Sequence, residues 1–149
     1  MALGYIHQHR LTLIGSKSGT TRTGVTLTSG YGSASTSKIF DAGEMSKVNF
    51  SIFYAVGSGE AANSIKIKIE SSSDGTNLYQ IPNESVSGGT STLTLREFVF
   101  VAASTASAGN NISLPLDVQD RYLKISVKES GTSTNFGTAY VEVLVSGAK

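Results

Sequence analysis

Lys47-Val48-Asn49-Phe50-Ser51-Ile52-Phe53-Tyr54-Ala55-Val56 decides the fold. Val48, Phe50, Ile52, Tyr54 and Val56 alternate with Lys47, Asn49, Ser51, Phe53 and Ala55. Successive side chains leave a strand on opposite sides, so a period of two over this length predicts a strand with one buried face. Phe53 on the other face implies that this side is partly covered too.

The same pattern recurs outward from this strand. Lys38-Ile39-Phe40-Asp41 precedes it, turned by Ala42-Gly43-Glu44. After the loop Gly57–Asn63, Ile65, Ile67 and Ile69 alternate with Lys66, Lys68 and Glu70, as on a half-buried strand with a charged outer face. Ser73-Asp74-Gly75-Thr76 reads as a turn, because Asp-Gly supplies the positive φ that hairpins need. Leu78–Ile81 returns as a strand, with Pro82 and Gly88-Gly89 marking an exit loop. Leu93 and Leu95 share one parity, Phe98 and Phe100 the other. That slip at Arg96-Glu97 predicts a bulge or a strand that bends between sheets. Ile112-Ser113-Leu114 is a short strand ended by Pro115. Leu123, Ile125 and Val127 make another, and Ala139, Val141, Val143 and Val145 the last, with Tyr140 and Glu142 facing outward. No apolar set holds a helical period. About seven body strands with frequent turns indicate an all-β, antiparallel sandwich of jelly-roll-like type.

Composition agrees. Charged residues are only 15% of the 149, and Ser, Thr and Gly fill the difference. The chain has no cysteine, which excludes disulfides, thiolate metal sites and a cysteine nucleophile. No apolar run has the length of a membrane span, and the N-terminus has no signal-peptide pattern.

Charge divides the chain. Up to residue 40 there are four bases (Arg10, Lys17, Arg22, Lys38) and no acid. The rest carries eight bases and eleven acids, so the first quarter is +4 and the remainder −3. Residues 1–36 therefore read as an extended N-terminal arm ahead of a body at 37–149. Two short alternations, Leu11-Thr12-Leu13 and Val25-Thr26-Leu27, are spaced by Gly and Ser, and a linker follows at Ser29–Ser35. A basic arm of this kind suits docking on an acidic surface, such as a neighbouring subunit, and its removal would leave a folded body.

Little of the chemistry points to catalysis. His7 and His9 share one side of an extended segment, but a stable metal site needs further ligands and no carboxylate lies nearby. Asp117 and Asp120 are the better acidic pair for calcium, yet acids three apart are common on surfaces. Gly57-Ser58-Gly59 is shorter than a hydrolase nucleophile elbow and no helix follows it. No metal, cofactor or enzymatic activity is expected. Nucleic acid is not expected either, because the bases are few and not interleaved with aromatics. Tyr122 and Tyr140 face away from the core by parity, as a cross-strand aromatic pair or a sugar-stacking surface.

Two stretches carry a resemblance. Ile65–Ile81, with its Glu70-Ser71-Ser72-Ser73-Asp74-Gly75 run into Leu78-Tyr79, resembles a hairpin of tailed-bacteriophage virion proteins. Arg121-Tyr122-Leu123-Lys124-Ile125 resembles a strand of the same small sandwich proteins, and a similar strand occurs in discoidin-like sugar-binding modules. This chain has Leu78-Tyr79 where Trp is frequent. The resemblance covers residues 37–147 and implies a virion structural protein, foremost a capsid decoration (cement) protein located on the capsid surface. A tail or head-fibre component and a carbohydrate-binding module are the alternatives. The implied partners are the major capsid protein and further copies of the chain. Three copies are implied because decoration proteins often sit at threefold positions. The residues expected to carry interactions are Tyr5, His7, Arg10, Lys17, Arg22, Tyr122 and Tyr140.

Overall fold

Alternating apolar residues build two antiparallel sheets packed face to face. The computed structural model describes residues 8–60, 63–101, 109–131 and 134–147. Sheet one runs, in spatial order, β1 (Gln8–Ile14), β14 (Thr138–Ser146), β6 (Lys47–Ala55) and β12 (Asn110–Asp117), with β4 (Val25–Thr26) also paired to β14. Sheet two runs β11 (Glu97–Val101), β7 (Ser64–Ser72), β13 (Tyr122–Ser130) and β5 (Ser37–Asp41), with β8 (Tyr79–Gln80) also paired to β7. Two hairpins stand outside the sheets: β2 (Ser16–Ser18) with β3 (Thr21–Thr23), and β9 (Pro82–Ser87) with β10 (Thr90–Leu95). Among the described residues no helix is long and apolar enough to cross a membrane.

The principal strands interleave. Counted along the chain as β1, β5, β6, β7, β11, β12, β13 and β14, they lie first-eighth-third-sixth in one sheet and fifth-fourth-seventh-second in the other. That order is the double Greek key of a jelly roll. The core lies between the sheets. Phe50, Ile52 and Tyr54 of β6 face Ile65, Ile67 and Ile69 of β7 and Ile125 and Val127 of β13, all buried. Phe40 and Phe50 meet edge to face across the gap, with ring centroids 5.9 Å apart.

Three readings of the sequence need correction. A body that starts at residue 37 is the first. β1 is the opening strand of the roll and pairs with β14 from Gln8↔Ser146 to Ile14↔Val141. Ile14 and Leu27 are core residues, each 1% exposed. A bulge between Thr12 and Ile14 turns both Leu13 and Ile14 toward the core, which a strict period of two conceals. Residues 8–28 thus belong to the body. Pro115 is the second correction: it lies inside β12, opposite Asn49, and does not end the strand. β12 is an edge strand, where a missing N–H costs no ladder bond. Third, Pro82 opens β9 and Gly88-Gly89 is a hairpin turn, both glycines at positive φ (58° and 78°), as a tight two-residue loop demands.

The slip at Arg96 is a change of sheet. Among the described residues β10 pairs only with β9, whereas β11 pairs with β7, and the Arg96 N–H donates to the Ile81 carbonyl between them. β8 and β11 lie along the same side of β7, at Glu70–Ser71 and Ser64–Lys68. The β9–β10 hairpin is therefore an outgrowth inserted into the edge of sheet two.

Candidate functional site

Between β1 and Ser37 the chain crosses the outer faces of both sheets. Gly15, at φ +85°, lets the chain fold back after β1; a side chain there would strike the Thr23 carbonyl and the Tyr140 ring. The β2–β3 hairpin then lies over the outer face of sheet one. Lys17 and Arg22 are directly opposite each other in that hairpin. Like charges so placed repel. They are tolerated because both reach one carboxylate, Glu142, at 3.6 and 3.8 Å.

Glu142 is the centre of this cluster. It is only 2% exposed, accepts a hydrogen bond from Arg10 (2.9 Å) and another from the Tyr140 hydroxyl (2.7 Å). Tyr140 also bonds Thr12 (3.2 Å), and the Arg22 guanidinium sits 5.7 Å from its ring centroid. The parity reading of Tyr140 and Glu142 was right, since both leave the core face. Their exposure was not: the hairpin buries them. The basic arm does dock on an acidic group, but on its own chain.

The Tyr140 hydrogen bond, with help from Arg10 and Lys17, holds the Glu142 carboxyl below its ordinary range, against the opposing effect of burial. A carboxyl lowered in the folded state stabilises the protein above its unfolded pKa, and that contribution is lost as pH falls through the folded value. Acidification below about pH 4, the ordinary range of a glutamate, should therefore loosen the hairpin. Urea unfolding midpoints should fall in that window. Glu142→Gln should flatten that part of the profile and cost about 2 kcal/mol at neutral pH.

Tyr31, in the expected linker, crosses the outer face of sheet two. Its hydroxyl donates to Glu97 (2.8 Å), and its ring lies 4.4 Å from the Lys128 ammonium and 5.2 Å from that of Lys68. Lys66 and Lys128 also pair with Glu97. This tether was not read from the sequence.

A second buried carboxylate, Glu129 of β13, joins the two sheets. It accepts from the Tyr54 hydroxyl of β6 (2.5 Å), from the Gly137 N–H ahead of β14 (2.8 Å), and weakly from Asn63 (3.4 Å). Its own N–H donates to the Thr28 carbonyl (2.9 Å), pinning the end of the wrap. The alternation read from the sequence stops at Val127, two residues short of this carboxylate, whereas β13 runs on to Ser130.

The remaining predicted site residues scatter. Tyr122 and Tyr140 lie in opposite sheets, so they are not a cross-strand pair. Tyr122 is half-buried, with the Arg121 guanidinium 5.2 Å from its ring centroid, while Arg121 grips Asp41 (2.8 Å). Asp117 ends β12 and Asp120 lies in the following turn, and no group of three or more metal-ligating side chains occurs among the described residues. Asp74 spends its oxygens inside its own turn, on Ser72, Thr76 and Asn77, which lowers its pKa. Ser58 stands in a turn closed by the Glu60 N–H on the Gly57 carbonyl. His9 is an exposed residue of β1, and Tyr5 and His7 lie outside the described residues.

Exposed apolar surface gathers elsewhere, along the β9–β10 outgrowth and the edge it springs from. Val86 and Leu93 are each 68% exposed, and their register puts them on one face of the hairpin. Val99 and Val101 are exposed on β11, and Tyr79 on β8. No family model, curated protein or solved structure matches the chain.

Proposed function

We propose that this chain is a non-enzymatic structural subunit of a phage virion, a capsid decoration protein that joins copies of itself on the head surface. One observation carries the assembly reading: the β9–β10 outgrowth, whose Val86 and Leu93 stand in solvent on a strand pair with no other sheet partner among the described residues. Ordering a hairpin of this length costs conformational entropy that its own contacts offset poorly. A partner that covers the valine and leucine supplies the missing burial.

The partner we favour is a second copy. The outgrowth continues into β11, an edge strand without proline or lysine, whose outward side chains are Glu97, Val99 and Val101. Such an edge offers unpaired backbone groups beside apolar side chains, and closed symmetry is the usual way to cover it. The phage assignment rests on the resemblance of the Ile65–Ile81 and Arg121–Val127 segments. A jelly roll hosts capsid and lectin domains alike, so the fold does not choose between them.

Light scattering at micromolar concentration should give a mass of three chains. Val86→Asp combined with Leu93→Asp should reduce it to the 15.6 kDa monomer with an unchanged circular dichroism spectrum. A wild-type monomer would contradict self-assembly. Antibody against the chain should label phage heads in micrographs of the source culture; label absent from heads would refute the virion assignment alone.

A further inference from the structure

The geometry points to a second binding site: a cleft for one carboxylate-bearing sugar residue, between the β2–β3 hairpin and the β6–β12 side of sheet one. The cleft is independent of the apolar outgrowth, so it stands whether or not the chain assembles. Arg22, Ser51, Phe53, Asn111 and Ser113 line it, in a volume of about 230 Å³. Clefts for drug-sized ligands run to roughly 300–1,000 Å³, so this one suits a single ring.

Its charge is in surplus. Arg10, Lys17 and Arg22 surround Glu142, which leaves three positive charges against one negative. The two hydrogen bonds nearest that carboxylate come from Arg10 and Tyr140. Arg22 contributes only the longest of the three ion pairs, 3.8 Å, and stays 40% exposed. It is therefore the cation with donors to spare, and it lines the cleft. A guanidinium fork matches a carboxylate with two parallel N–H···O bonds.

The floor selects the rest of the ligand. Ser51 and Ser113 are cross-strand partners, and Asn111 is the partner of Phe53 in the next row of the same face. The Ser113 hydroxyl donates to Asn49 (2.9 Å), which leaves its lone pairs as acceptors. Hydroxyls and an amide at the spacing of a sheet, beside one aromatic edge, are the partners that a hydroxylated ring needs. An aliphatic acid or an acidic side chain would leave most of them unused. A neutral sugar would leave Arg22 unused.

Saturation-transfer NMR and calorimetric titration of the full chain test this with methyl glucuronide. Methyl glucoside is the control without a carboxylate, and glutarate the control without a ring. The glucuronide should bind, more weakly as salt rises, and both controls should bind about tenfold less well, the glucoside for want of the charge-assisted hydrogen bonds to Arg22 and glutarate for want of the hydroxyls that Ser51, Asn111 and Ser113 would bond. Arg22→Gln should lower glucuronide affinity by a similar factor. Asn111→Ala, which is away from the Glu142 cluster, should lower it a few-fold with an unchanged melting temperature, so a folding defect in the first variant does not decide the matter. No transfer to the glucuronide overturns the site. Equal binding of the glucoside removes the role of Arg22, and equal binding of glutarate indicates an acidic peptide instead; either result overturns the sugar-acid assignment.

Discussion

A chain that begins at Ser37 is expected not to fold. Removing residues 1–36 takes away the first strand of the roll and exposes the flank of β14 along its whole length. It also removes Ile14 and Leu27 from the core. Deleting a buried leucine or isoleucine side chain costs about 2–5 kcal/mol, and a domain of this size has about 5–15 kcal/mol in total. Two such losses consume most of that margin before strand pairing is considered. Glu142 would in addition lose Arg10, Lys17 and Arg22 together. Far-ultraviolet circular dichroism and amide NMR dispersion are the measurements. A truncated chain with a cooperative melt near that of the full chain would show that residues 8–28 are an accessory after all.

Glu129→Ala should be the most damaging single substitution among the polar residues. The change strips the Tyr54 hydroxyl and the Gly137 N–H of their acceptor at one stroke, and Tyr54 is fully buried. A buried donor left unpaired costs about 1–3 kcal/mol, and here there are two, so a loss of about 3–5 kcal/mol is expected. Glu129→Gln keeps the volume and one acceptor oxygen, and should cost less than half of that. Tyr54→Phe in the Glu129→Ala background should recover part of the stability, because it removes an orphan hydroxyl. Additive losses in that double variant, read from denaturant unfolding, would mean that the two side chains do not act as a pair.

The fold was legible where one period held for a whole strand. β6 buries every second residue, and the apolar residues of β7, β13 and β14 that enter the core alternate in the same way. The break at Arg96 was legible too, because the apolar parity changes there: Leu93 belongs to the exposed outgrowth, and Phe98 and Phe100 of β11 begin a new alternation that packs on the core. The wrap was not. β2, β3 and β4 are two or three residues long and mostly exposed, too short to show any period. What settles their place is contact with residues more than a hundred positions away, such as Lys17 and Arg22 with Glu142, and no local pattern encodes such a distance. Glu142 shows the limit. Its parity was correct, but burial depends on what lies over a face. The +4 first quarter and −3 remainder did signal an attraction; whether the acidic partner lay in the same chain was open.

The place of β14 has a consequence for how the protein is made. It is the last of the roll's strands in chain order, yet it lies between β1 and β6 as an inner member of its sheet. The first strand must wait, unpaired, while some hundred and twenty residues follow it (from Ile14 to Thr138). At about 5–20 residues per second that interval is several seconds. Sheet one is closed only after β14 clears the ribosome, whereas β7 and β13 can pair before then. Most pairings in this roll are distant in sequence, which places it among slow-folding topologies. Arg10, Lys17 and Arg22 likewise reach Glu142 only once β14 has been made.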